Sequence, residues 1–244
     1  MRDQEELTLQ RKPASESDRD RPERPPASRD GWNYLFYHPS SDTEMTASHS
    51  STATRTDIKE SFVNTFPFPT IDSAPPDARP FLEGAQKQLG FVPNLLSGLS
   101  NSPETLASYI DLSKHFAKIG LTGIEMQTVL VVTSVENACA YCVSAHSTFA
   151  TNMKIDQAVL KAIRQGTESP DAKLNALAAF VRKLIRSKGH VTGADLSNFT
   201  AAGYTREQGL GVLIGVAMKT IGNFANHFMK TPVDQQFAAQ RWEK

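Results

Sequence analysis

At 244 residues the chain can bury one large core or two small ones, and its 26 basic and 26 acidic residues cancel to a formal net charge of zero. The two signs are interleaved, so no basic face tracks phosphates and nucleic acid is excluded as the expected partner. No run approaches the roughly 18 apolar residues of a membrane span, the first 30 residues hold no apolar core of a secretory signal, and the expected setting is cytoplasmic.

Residues 1–56 read as a disordered extension. Met1 to Asp30 is dense in charge and proline and has no aromatic residue, so it buries too little apolar surface to offset the entropy of ordering. An aromatic island at Gly31 to His38 and a Ser/Thr-rich stretch at 46–54 complete it, with Met45 as an alternative start. Residues 57–244 form the expected folded domain. Phe66, Phe68 and Phe91 beside Pro67, Pro69 and Pro93 read as anchors of extended lead-in segments.

From Ile58 onward the pattern is helix after helix. A helix is expected from Asp77 to Leu89, ending at Gly90, and another from Ser102-Pro103-Glu104 to Ile119, stopped by Gly120. Thr122-x-x-Glu125 is a capping box opening a third. Its run Val129-Leu130-Val131-Val132 predicts burial on most sides. Asn137 is expected to cap a helix that carries both cysteines to Asn152. Further helices follow from Asp156 to Gln165 and from Pro170 to Lys188, each ending at a glycine. Caps at Thr192-x-x-Asp195 and Thr205-x-x-Gln208 lead to the last helix, Arg206 to Met229. Its interior Gly209, Gly211 and Gly215 each cost about 1 kcal/mol against Ala, tolerable where another helix packs close. Period-two alternation is lacking, so the fold class is all-α.

The two cysteines of the chain lie in Cys139-Ala-Tyr-Cys142-Val-Ser-Ala-His146. At about 100° per residue, positions i, i+3 and i+7 fall within an arc of roughly 60° on one helix face. Two thiols this close can cycle between dithiol and disulfide. In a chain kept in a reducing compartment such a pair is more often catalytic or metal-binding than a staple. A first helical turn favours a thiolate, which points to Cys139, whereas an i, i+4 imidazole base points to Cys142. The preferred nucleophile is Cys142, leaving a sulfenic acid that Cys139 condenses with. A zinc site completed by His115 or His227, and two inert core thiols, stand as alternatives.

The run Ser134-Val135-Glu136-Asn137-Ala138-Cys139-Ala140-Tyr141-Cys142-Val143-Ser144-Ala145-His146-Ser147 resembles the signature of the carboxymuconolactone decarboxylase family, in the branch shared with alkylhydroperoxidase D and peroxidase-related proteins. Gly90-Phe91-Val92-Pro93-Asn94-Leu95, and the stretch from Gly203-Tyr204-Thr205 through Gly215-Val216-Ala217-Met218-Lys219-Thr220 to Asn226-His227, extend the likeness over about residues 60–240. The resemblance implies an all-helical subunit that assembles into homo-oligomers, trimers or hexamers. It also implies a disulfide cycle in which the second cysteine is peroxidatic and the first resolves it. Lactone decarboxylases of the family lack the cysteine pair, which argues against decarboxylation here.

The sequence departs from that family at one point. The peroxidase branch carries a relay glutamate twelve residues before the first cysteine, and here the position is Gln127, an amide that can orient an imidazole but cannot take a proton. Glu125 is expected in the capping box, which leaves Glu136 as the candidate relay. Tyr141 is expected to point away from the cysteine face, while His115 and His227 read as structural. The site residues are therefore Cys142, Cys139, His146 and Glu136, with no cofactor and no metal. The expected function is a thiol-dependent peroxidase acting on hydrogen peroxide or an organic hydroperoxide, restored by a dithiol protein or small thiol. A redox-responsive oligomeric sensor with little turnover, and a decarboxylase-type enzyme, are the other readings.

Overall fold

A computed structural model describes residues 66–243, and among these the regular secondary structure is entirely helical. The domain boundary expected near residue 57 and the alternative start at Met45 lie outside the described residues. The α-helices in chain order are α1 Arg79–Leu89, α2 Asn94–Leu99, α3 Pro103–Phe116, α4 Gly123–Glu136, α5 Ala140–Asn152, α6 Gln157–Gln165, α7 Ala172–Arg186, α8 Gly193–Ala201 and α9 Arg206–Met229. Short 3-10 turns at Pro76–Ala78 and Gln235–Gln240 flank them.

Local chemistry sets most of these limits. Ser102 caps α3 by accepting from the Thr105 amide, with Pro103 at its first position, and Gly90 and Gly166 end α1 and α6 in the left-handed region at φ 79° and 72°. The three expected capping boxes form at Thr122/Glu125, Thr192/Asp195 and Thr205/Gln208. Three expectations change. α3 stops at Phe116 rather than Ile119, and its last residues tighten into i to i−3 bonds before Gly120. α7 starts at Ala172, capped by Asp171, and ends at Arg186. The unforeseen α2 follows Pro93 directly, and residues 95–99 are all buried. With no polar face, α2 has no periodicity to betray it.

α4 lies at the centre, packed against α5, α6, α7 and α9, and Val129 to Val132 are at most 1 % exposed. No single side of α4 is polar, as the continuous apolar run requires. α9 crosses both α3 and α4. Its glycines permit that approach: a Cβ on Gly215 would stand 2.5 Å from the Phe116 ring, and one on Gly211 would stand 2.7 Å from Ile119. Among the described residues no helix is long and apolar enough to cross a membrane. Gly215→Val is expected to destabilise the protein by about 2 kcal/mol or more through overpacking against Phe116. A lowered urea midpoint with an unchanged slope checks this.

Candidate functional site

The site is built where α4 ends and α5 begins. Asn137 closes α4 rather than opening α5: its amide bonds back to Thr133, and Ala138 then turns into the left-handed region at φ 54°. A left-handed alanine costs on the order of 1 kcal/mol, offset here by amide bonds from Ala138 to Val135 and from Cys139 to Ser134. Cys139 is the residue that caps α5, in extended backbone, with its Sγ accepting from the Cys142 amide at 3.5 Å. Asn is the commoner cap by composition, so the sequence pointed two residues too early. The shift matters chemically. Cys142 now stands in the first turn of α5, so the field of the helix start acts on the same sulfur that the nucleophile assignment prefers.

Both cysteines are 1 % exposed, with their sulfurs unjoined. Burial opposes a thiolate at Cys142, but it is outweighed by the Cys139 thiol donating to its sulfur, by the Lys219 ammonium and by the Asn223 amide, and the Cys142 thiol is lowered to about 6. Cys139 is driven the opposite way, because its proton is the one donated to Cys142 and because it is buried. Asn226 Nδ2 adds a hydrogen bond to Cys142 Sγ at 3.1 Å and lies 3.7 Å from Cys139 Sγ. Asn223 is itself held by Asn137, which donates to its Oδ1 at 2.9 Å, and by its own donation to Ser134 Oγ at 3.2 Å.

Lys219 is the residue that sequence reasoning missed. It is 1 % exposed on α9, and its ammonium donates to His146 Nε2 at 2.9 Å and to Tyr109 Oη at 3.1 Å. Burial alone would strip its proton. The negative charge of Cys142 and the Tyr109 hydroxyl overcome that and raise its pKa. A signal existed. From Gln208 to Met229 the only Lys, Arg, Asp or Glu is Lys219, and a lone charge within a glycine-rich helical stretch marks a buried, partnered group.

His146 takes a different place from the one expected. Its Nε2 accepts from Lys219, which leaves the proton on Nδ1, and Nδ1 donates to Gln127 Oε1 at 2.9 Å. Both ring nitrogens are thus directed at Gln127 and Lys219 rather than at Cys142. Burial and the Lys219 ammonium hold the imidazole well below its ordinary pKa, hence neutral. Gln127 fulfils the orienting role open to an amide. The carboxylate of Glu136 turns outward to α7, where Arg186 donates to it from Nε at 2.7 Å and Nη2 at 2.8 Å. Glu125 is committed to the Thr122 amide at 2.8 Å and to Lys173 at 2.8 Å. Among the described residues no group of three His, Cys, Asp or Glu side chains is placed to hold a metal ion. The two histidines of the zinc alternative are not gathered at the sulfurs: His227 Nε2 lies 3.3 Å from the Ala138 carbonyl.

A cavity of about 40 Å³ opens beside Cys142, Lys219 and His146, walled by Leu95, Ile110, Phe149, Met218 and Phe237. Phe237 comes from the chain after α9 and packs edge-on to Phe91, Tyr141 and Phe149. Tyr141 donates to Asp234 Oδ2 at 2.5 Å and accepts from the Leu95 amide at 3.2 Å, so it points away from the sulfurs and ties this C-terminal segment over the cavity.

This arrangement of helices is that of the alkylhydroperoxidase D core. A peroxidase-related protein from Ralstonia eutropha JMP134, solved as such a core, superposes with a TM-score of 0.63 at 24 % identity, over 72 % of this chain and 94 % of that one. A peroxidase-related protein from Silicibacter sp. TM1040 gives 0.62 at 19 % identity over 72 % and 93 %. The debrominase Bmp8 gives 0.62 at 20 % identity over 74 % and 97 %. The fold is thus shared by proteins of different activity. No family model and no curated protein sequence matches the chain.

One thiolate per chain is expected to titrate with a midpoint near pH 6 in ultraviolet thiolate absorbance, declining as the pH falls through that value and mostly present at neutrality. Lys219→Met removes the countercharge and leaves the burial. The thiolate fraction at neutral pH should then fall on the order of 100-fold. An unchanged titration in that variant would remove Lys219 from the site.

Proposed function

We propose that the chain is a thiol-dependent peroxidase whose nucleophile is Cys142 and whose acid is Lys219. The observation that carries this reading is the buried pairing of a lowered Cys142 thiol with the Lys219 ammonium at the wall of a small apolar cavity. Cys142 thiolate attacks the terminal peroxide oxygen and the O–O bond breaks. The leaving oxygen takes a proton from Lys219, giving an alcohol or water, a Cys142 sulfenic acid and a neutral lysine. Neutral Lys219 accepts the Cys139 proton, and the Cys139 thiolate attacks Cys142 Sγ. The S–O bond breaks, hydroxide leaves with the proton from Lys219 as water, and the disulfide closes. A dithiol protein or small thiol then returns two electrons and two protons, restoring Cys139 thiol, Cys142 thiolate and Lys219 ammonium.

Lysine suits this cycle because burial favours its neutral form once the thiolate charge is gone. His146, neutral and oriented by Gln127, holds the lysine in place as a hydrogen-bond acceptor, so no carboxylate relay is required and Glu136 is left to its arginine. The amide at Gln127 leaves the site without a carboxylate relay, and a lysine acid fills that gap. The cavity bears on substrate size. A water needs about 10–15 Å³ of such space, so 40 Å³ accommodates hydrogen peroxide and little more without movement of the walls.

A second reading, reductive dehalogenation, is favoured by the apolar walls and by the debrominase solved with 2,3,4-tribromopyrrole. A ring of that size exceeds about 40 Å³ and requires the walls to move, which ranks it below the peroxidase.

Reduced protein given hydrogen peroxide is expected to lose both of its thiols. Cys142→Ser should abolish the loss, whereas Cys139→Ser should leave Cys142 oxidised without a disulfide. Thiol counts that stay constant under peroxide, with bromide released from tribromopyrrole, would overturn the peroxidase in favour of the dehalogenase.

A further inference from the structure

α9 has two faces, and the site uses only the inner one. Lys219, Asn223 and Asn226 point inward, while Leu210, Leu213, Phe224 and Phe228 stand 70 %, 45 %, 59 % and 65 % exposed. These are the large hydrophobic side chains left in solvent among the described residues. A scattered exposed leucine is ordinary, but four on one helix are a patch. The outer face carries no charge from Gln208 to Met229, since the single charged residue of that stretch, Lys219, is buried. Charges resume at its two ends, with exposed Glu207 before it and exposed Lys230 after it.

The patch is regular. Leu210, Ile214, Ala217, Ile221, Phe224 and Phe228 follow spacings of four and three in alternation, the heptad seam of a helix that packs lengthwise on another. It is also symmetric about its centre at position 219. Reversal of the chain direction exchanges Leu210 with Phe228, Ile214 with Phe224 and Ala217 with Ile221. Each large ring then meets an aliphatic residue, and the small Ala217 lies at the middle, where two backbones approach most closely. The same reversal brings Glu207 beside Lys230.

We propose that this seam docks a second copy of the same chain, α9 against α9, antiparallel about a two-fold axis near residue 219. A self-complementary patch of this kind is what an isologous two-fold interface requires. The four exposed side chains present on the order of 500 Å², so two copies bury about 1,000 Å², the lower bound for a specific interface. The assembly is therefore even-numbered, a dimer or a hexamer made of three such dimers, which narrows the family expectation of trimers or hexamers. Each active site sits on the far side of its own α9, so the contact backs Lys219 without covering the cavity. This inference does not depend on the peroxidase reading.

Sedimentation and light scattering on the full chain are expected to give an even multiple of its 26.8 kDa mass. Phe224→Glu should shift it to the half-size species with helical content unchanged. Register is tested at the ends of the seam, on two well-exposed positions. Leu210→Lys and Phe228→Glu should each weaken assembly about tenfold or more, and the double variant, in which each lysine faces a glutamate of the other copy, should restore it. A monomeric or odd-numbered wild type, an assembly indifferent to Phe224→Glu, or a double variant as weak as the singles would overturn the proposal.

Discussion

The site depends on one buried charge pair. Neither Cys142 nor Lys219 keeps its charge in a dry core alone, since burial raises the one thiol and strips the other amine. Together each supplies what the other lacks. The remaining polar groups complete this pairing: Asn226 and the Cys139 thiol donate to the sulfur, and Tyr109 and His146 accept from the ammonium. Removal of either charge leaves its partner in a cavity walled by leucine, isoleucine and phenylalanine, which is why the arrangement behaves as a unit.

The geometry of α9 makes the pairing feasible. Its glycines bring the helix within contact of Phe116 and Ile119, and this depth places the Lys219 ammonium beside α5 rather than near the surface. The sharp left-handed turn at Ala138 performs the complementary task from the other side. It ends α4 and starts α5 within three residues, so that Cys142 enters the first turn of a new helix with its sulfur aimed at α9. Two backbone costs, helical glycine and left-handed alanine, thus fall where the chemistry needs close approach.

The outer face of α9 answers to a different constraint. A helix so rich in glycine has little intrinsic stability, and packing against its neighbours compensates for it. α3 and α4 supply one side, and the regular apolar seam on the other has the periodicity of a partner helix.

Much of this was legible in the residues. Capping boxes, terminal glycines and the buried run of α4 follow from local rules, because caps and periodicity act over three or four positions. The closeness of the two sulfurs was legible as well, from spacing. The failures share a cause. Asn commonly caps a helix, which points to Asn137, yet the chain direction at Ala138 makes Cys139 the cap. Glu136 stands three residues from Cys139, which suggests a relay, yet the helix breaks between them and α7 supplies the arginine that holds it. The i, i+4 spacing makes His146 a base for Cys142, yet a lysine 73 residues distant occupies its free lone pair. The sequence by itself determined the helices, the two sulfurs and their separation, since these are properties of neighbours along the chain. Which groups charge, acidify and orient those sulfurs was decided only by the tertiary structure. Lys219 and Asn226 reach Cys142, and Tyr109 reaches Lys219, through the packing of helices remote in sequence, and electrostatics in a buried core responds to distance in space.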